Sequence, residues 1–205
     1  FQYWSEKLNE YAGSETALAE LDYWRAIEEA AGEPIPREVY LSGTERKESD
    51  RQECGLELDP ENTEKLLKEV NSAFNTEIND ILLSALALAV HHWSGLEQVV
   101  INMEGHGREE ILNDVNISRT VGWFTTMYPV LLDIAEEATD LSAVIVNTKE
   151  MFRHIPSKGI GYGILRYLTS PGKQGGTPLG LDPEISFNYL GQFDRIRHCL
   201  QQGMK

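Results

Sequence analysis

The sequence predicts a mixed α/β (α+β) fold, a two-layer sandwich in which one mixed β-sheet packs against helices. Two observations carry that expectation. Stretches with apolar residues at helical spacing interleave with short alternating or apolar runs that read as strands, and no repeat or low-complexity tract separates them. The 205 residues are 41% hydrophobic and 25% charged, a balance that buries a real core and argues against wholesale disorder. That length suits one domain, or half of a larger two-lobed one.

Taken in chain order, the first helix expected is Ser14 to Ala31, with Leu18, Leu21, Trp24 and Ile27 at helical spacing, Ser14 as N-cap and Gly32 as stop. Residues 33–50 hold Pro34, Pro36, Gly43 and the charged run Glu45-Arg46-Lys47-Glu48, and read as a linker. Cys54, Leu56 and Leu58 alternate with polar residues, as in a half-buried strand. Asp59-Pro60 supplies a cap and a first-turn proline for a helix through about Asn71. From Thr76 to Trp93 the chain is apolar nearly all round, which predicts a buried helix ending at Gly95. Its apolar stretch, bounded by Asp80, His91 and His92, is short for a bilayer span. Gln98–Met103 and Met127–Ile134 read as strands, Leu141–His154 and Ile164–Leu168 as helices, and Glu184–Leu190 as a last strand before a basic tail. Residues 1–50 are thus lead-in helices and linker, and 51–205 the main body.

Charge narrows the function classes. Lys and Arg total 18 against 33 Asp and Glu, a net charge of −15. Polyanions would be repelled, so neither nucleic acid nor a membrane surface is expected as main partner. The excess sits in residues 1–140, with a net of −19, whereas residues 141–205 carry +4. Cys54 and Cys199 match no metal or redox spacing and read as free thiols of a cytoplasmic protein. Phe1-Gln2-Tyr3-Trp4 shows neither part of a signal peptide and opens in mid-helix, as expected of a piece of something longer.

Four stretches invite chemistry. Glu104-Gly105-His106-Gly107-Arg108-Glu109 follows a strand, and its glycines let the backbone turn and approach a ligand beside a carboxylate suited to general base work. Ser118 to Pro129 sets Trp123 and Phe124 side by side after Gly122, an arrangement that needs burial. Pro156 to Gly163 is glycine-rich before a helix and could cradle a phosphate, although it matches neither the Walker pattern nor Gly-x-Gly-x-x-Gly. Ser186 to Gly191 places Asn188 and Tyr189 inside an apolar strand, where both need hydrogen-bond partners. Read from composition alone, each is also explained as an ordinary loop or core element.

Together and in this order the stretches resemble the epimerization domains of nonribosomal peptide synthetases. The matching residues are Glu104–Glu109 (EGHGRE), Arg119–Val130 (RTVGWFTTMYPV), Pro156–Gly163 (PSKGIGYG) and Phe187–Phe193 (FNYLGQF). The resemblance covers essentially the whole chain. It implies the C-terminal lobe of a condensation-type domain, similar to one lobe of the chloramphenicol acetyltransferase fold. It also implies an isomerase that inverts the Cα of an aminoacyl or peptidyl thioester on a carrier protein's phosphopantetheine, by removing and returning the α-proton. On that basis Glu104 and Tyr189 are the expected catalytic residues, Glu104 as an acid/base group and Tyr189 donating to the enolate oxygen or orienting substrate. His106, Arg108, Trp123, Asn188 and Tyr162 are expected to line the tunnel. No metal and no cofactor of its own is implied. The implied partners are a peptidyl carrier protein, the N-terminal lobe and neighbouring synthetase domains.

Two departures matter. The family's first lobe carries His-His-x-x-x-Asp-Gly, but after His91-His92 this chain has Leu96 and Glu97 in the last two places. That pair therefore reads as the end of a helix, and the fragment alone is expected to be inactive. Asn116 stands where the family usually has Asp. The alternatives are a condensation-domain lobe that forms peptide bonds, or a non-catalytic carrier-docking module using Lys149, Arg153 and Lys158.

Overall fold

The computed structural model describes residues 1–37, 48–112, 114–134 and 140–191. The chain opens with α1 (Gln2–Tyr11), then α2 (Glu15–Leu18) and α3 (Leu21–Glu29). Ser14 caps α2 as expected, its hydroxyl accepting from the Ala17 amide at 3.2 Å. The single helix expected over Ser14–Ala31 is instead broken at residues 19–20. There the Glu20 amide donates to the Ala17 carbonyl at 3.2 Å, and the tightened turn lets the Glu20 carboxylate turn inward.

Cys54 to Leu58 is not a strand. No described strand lies beside it, and Leu56 and Leu58 are exposed, so the alternation had no sheet to bury it. Helix α4 (Pro60–Glu64) does start at Asp59, whose carboxylate accepts from the Asn62 amide at 2.9 Å. It passes through a wide π-type turn (Lys65–Val70) into α5 (Asn71–Phe74). The apolar helix α6 (Ile78–Ser94) ends on Gly95 in the left-handed region. Among the described residues no single helix is long and apolar enough to cross a membrane.

Next come β1 (Gln98–Gly105), β2 (Thr126–Asp133), α7 (Leu141–Arg153), a 3-10 turn (Pro156–Gly159), α8 (Ile160–Tyr167), α9 (Pro171–Gln174) and β3 (Ile185–Phe187). The sheet is mixed, with order β2-β1-β3: β2 runs antiparallel to β1, and β3 parallel to it. Helix α8 begins four residues earlier than its apolar pattern alone suggested, because Gly161 and Gly163 obscured its first turn. The last strand is shorter than expected, three residues rather than seven.

One core unites the parts. Trp24 from α3, Leu83 from α6, Ile101 from β1, Leu132 from β2 and Leu165 from α8 are all essentially inaccessible and belong to one cluster. The opening helices are therefore integral to the core. A second cluster gathers Trp4, Ile117, Phe124, Ile160 and Ile164. Cys54 is exposed and free, whereas the basic tail, Cys199 and residues 38–47 of the linker lie outside the described residues.

Candidate active site

Strand β1 delivers the site. Its side chains alternate, so Ile101 and Met103 are buried in the core while Glu104, the penultimate residue, turns the other way and stays half-buried. Sequence reasoning placed Glu104 just after the strand; the ladder continues through it to Gly105, opposite Thr126. Strand β3 pairs Phe187 with Met103, and one residue further brings Asn188 beside Glu104. The Asn188 amide donates to the Glu104 carboxylate at 2.7 Å. It is the one hydrogen-bond donor to that carboxylate among the described residues, and no cation is paired with it there. One neutral donor from the neighbouring strand thus fixes the carboxylate in position.

Glu104 opens onto a cavity of about 640 Å³ that His106, Asn188 and Tyr189 also line. Four of the seven expected site residues therefore meet at one place. The His106 ring accepts the Arg108 amide at Nδ1, at 3.0 Å. A neutral ring then carries its hydrogen on Nε2, which faces Glu109 Oε1 at 3.2 Å. The other Glu109 oxygen lies 3.5 Å from Lys158 Nζ. Tyr128 borders the same space from β2, and its phenol is pushed up to about 12, first by burial and then by the negative charge of Glu109. Sequence reasoning missed Glu109, Lys158 and Tyr128 as cavity residues; the signal for Glu109 was its three-residue offset from His106. Asn79 Oδ1, buried against this cavity, has no hydrogen-bond partner among the described residues.

The other three expected residues lie elsewhere. Arg108 donates to the carbonyls of Ile117 at 2.7 Å and Gly122 at 3.3 Å, with its guanidinium 4.1 Å from the Phe124 ring centre. It clamps the loop between β1 and β2 and is outside the lining of the Glu104 cavity. Trp123, expected to be buried, is 83% exposed, and its neighbour Phe124 takes the buried place, packed on Phe1 and Trp4. Phe124 fills the space against Phe1 and Trp4, which leaves Trp123 beside it facing solvent. Tyr162 is buried beside Trp24, and its hydroxyl donates to Glu28 at 2.8 Å. Trp123 and Tyr162 line a second, more apolar cavity of about 620 Å³.

Three glycines of the two glycine-rich stretches, Gly107, Gly159 and Gly161, have steric reasons. A Cβ on Gly107 would lie 1.6 Å from the Phe124 carbonyl oxygen. One on Gly159 would lie 2.2 Å from the Tyr128 ring, and one on Gly161 1.8 Å from the Glu20 carboxylate. Close packing thus explains Gly159 and Gly161 without a phosphate, whereas Gly163 has open space around it. His91 Nδ1 donates to the Leu96 carbonyl at 2.9 Å, closing the end of α6, and neither His91 nor His92 lines the cavity. Of the cations proposed for docking, Lys149 donates to the Phe74 carbonyl at 3.0 Å, and Arg153 pairs with Glu150 at 3.0 Å. Among the described residues no three His, Cys, Asp or Glu side chains gather as a metal ion would require.

The condensation-domain pattern matches residues 1–204. The chain belongs to the condensation-domain family. It is 49% identical over 195 residues to tyrocidine synthase 1 of Brevibacillus parabrevis, covering 95% of this chain but 18% of that protein. With surfactin synthase subunit 1 of Bacillus subtilis it shares 47% identity over 197 residues, 96% of this chain and 5% of the relative. Among solved structures, the epimerization domain from the third module of tyrocidine synthetase B superposes with a TM-score of 0.86 at 47% identity, over 95% of this chain and 44% of that one. The first condensation domain of the calcium-dependent antibiotic synthetase superposes at 0.61 and 19% identity, over 92% of this chain and 41% of that one, which shows the shared fold. The chain thus spans under a fifth of the curated relatives it matches, and under half of the epimerization domain.

Proposed function

We propose that this condensation-family chain is the C-terminal lobe of an epimerization domain. Its parent inverts the Cα of an aminoacyl or peptidyl thioester carried on the phosphopantetheine of a peptidyl carrier protein. The observation that carries the reading is the Glu104 carboxylate, held by Asn188 at 2.7 Å and opening onto a cavity that Tyr189 shares. The 47% identity to an epimerization domain of known structure supports it, against 19% to a condensation domain.

Epimerization needs a base on one face of the α-carbon, an acid on the other, and stabilisation of the enolate between them. Glu104 serves as one acid/base group and Asn188 orients it. Tyr189, on the same wall, donates to the enolate oxygen or holds the thioester. The second acid/base group is assigned to the N-terminal lobe that the family resemblance implies, and neither His91 nor His92 lines the Glu104 cavity. The 205-residue chain is accordingly expected to show no turnover by itself.

The test is exchange of the α-proton with labelled solvent in a carrier-bound aminoacyl thioester, using the parent domain. Wild type is expected to exchange, and Glu104→Gln to slow exchange by about 100-fold or more. Unchanged exchange in the variant would remove Glu104 from the mechanism. A second reading, peptide-bond formation, is favoured by the match to the condensation pattern itself. Two loaded carriers separate the readings: a condensation domain yields a dipeptidyl thioester, an epimerization domain a mixture of stereoisomers on one carrier.

A further inference from the structure

The segment from Ser157 to Gly159 is held in an unusual backbone. Ser157 has φ 45° and Lys158 φ 50°, both left-handed and neither glycine, and Gly159 follows at φ 87°. Each non-glycine residue in that region is costly and persists only where its surroundings enforce it. The enforcing contact comes from the other end of the chain. Glu20, at the break between α2 and α3, is 8% exposed, and its two oxygens accept from Ser157 Oγ at 2.6 Å and Trp24 Nε1 at 3.1 Å. Gly161 leaves no room for a side chain against that carboxylate, and the Tyr128 ring closes over Gly159. The strained turn is therefore gripped from below by a buried carboxyl group and from the side by an aromatic ring. Its middle residue, Lys158, emerges at the Glu104 cavity and reaches Glu109, the partner of His106.

We infer that Glu20 is a positioning residue: through Ser157 it holds the left-handed turn that sets Lys158 against Glu109 at the cavity wall. This rests on the reading above that the Glu104 cavity is the reaction site. Nothing in the chemistry of a helix break requires a buried carboxylate, whereas delivery of Lys158 to the cavity requires the turn. If Glu20 acts through Lys158, removing both should cost no more than removing the first.

Two measurements on the parent protein test it. Peptide-resolved hydrogen exchange of residues 155–163 is expected to speed up about 10-fold or more in Glu20→Ala, while α6 peptides hold their wild-type rates. In α-proton exchange, Glu20→Ala is expected to lower kcat about 10-fold with KM within about 2-fold. Lys158→Met should match it, and the double variant should be no slower than Glu20→Ala alone. Glu20→Gln keeps the shape and one acceptor, and should recover part of the rate. Should Glu20→Ala fail to fold, Ser157→Gly, which removes the hydroxyl and relaxes the backbone, must show the same non-additivity with Lys158→Met. Unchanged exchange at 155–163, or rate losses that multiply in the double variant, would overturn the inference. If wild type shows no α-proton exchange, the proposed reaction has failed, and the hydrogen-exchange comparison still decides whether Glu20 holds the turn.

Discussion

Two glycine-bearing segments border the Glu104 cavity, and they are tight for different reasons. At Gly107 the obstacle is backbone: the Phe124 carbonyl passes where a side chain would begin, and φ is 64°. At Gly159 and Gly161 the obstacles are side chains, the Tyr128 ring and the Glu20 carboxylate. A backbone obstacle is fixed by the β1–β2 connection and its Arg108 clamp, whereas a side chain can rotate or be trimmed. Similar runs of glycine thus encode two devices, a loop folded onto itself and a turn gripped by the core.

The largest expected effect follows from that distinction. Gly107→Ala should cost about 3 kcal/mol or more, or abolish folding, and trimming a nearby side chain should not rescue it. Urea denaturation of the single variant and of its combination with Thr126→Ala checks this, and rescue would break the comparison. Gly159→Ala should also be strongly destabilising, but Tyr128→Leu should relieve part of the loss, giving a coupling of about 1–3 kcal/mol in a double-mutant cycle. Strict additivity there would mean that the left-handed backbone, rather than the ring, sets the cost. Arg108→Leu removes the donors to Ile117 and Gly122 and should lower stability by about 1–3 kcal/mol. Arg108→Lys should recover little, because one ammonium cannot span both carbonyls and cover Phe124. Trp123→Ala should be the mildest, within about 0.5 kcal/mol in thermal unfolding of this chain, because the side chain is 83% exposed.

Local signals made much of the fold legible. Ser14, Asp59 and Gly95 act at helix ends as their residue types imply, and the apolar patterns located β1, β2, α6 and α7 within a few residues. Elements that depend on a distant partner were not legible. The alternation over Cys54 to Leu58 resembles a strand until no neighbour is found for it. The carboxylate that turns inward at the Glu20 break meets one of its two partners, Ser157, 137 residues away. The adjacency of Trp123 and Phe124 announced one buried ring without saying which. For the site, the motifs marked Glu104, His106, Asn188 and Tyr189, which meet at one cavity. Their pairing depends on the parallel register of β1 and β3, which periodicity does not reveal. Lys158 and Glu109 join them through the strained turn and the His106 hydrogen bond, neither of which leaves a mark in composition.

The most direct test sets the two glutamates of Glu104-Gly105-His106-Gly107-Arg108-Glu109 against each other. Glu104 has no cation beside it among the described residues, whereas Glu109 is engaged by His106 and Lys158. In α-proton exchange of a carrier-bound aminoacyl thioester by the parent domain, Glu104→Gln is expected to lose about 100-fold or more and Glu109→Gln about 10-fold. Exchange at the wild-type rate in Glu104→Gln, whatever Glu109→Gln does, would contradict the account.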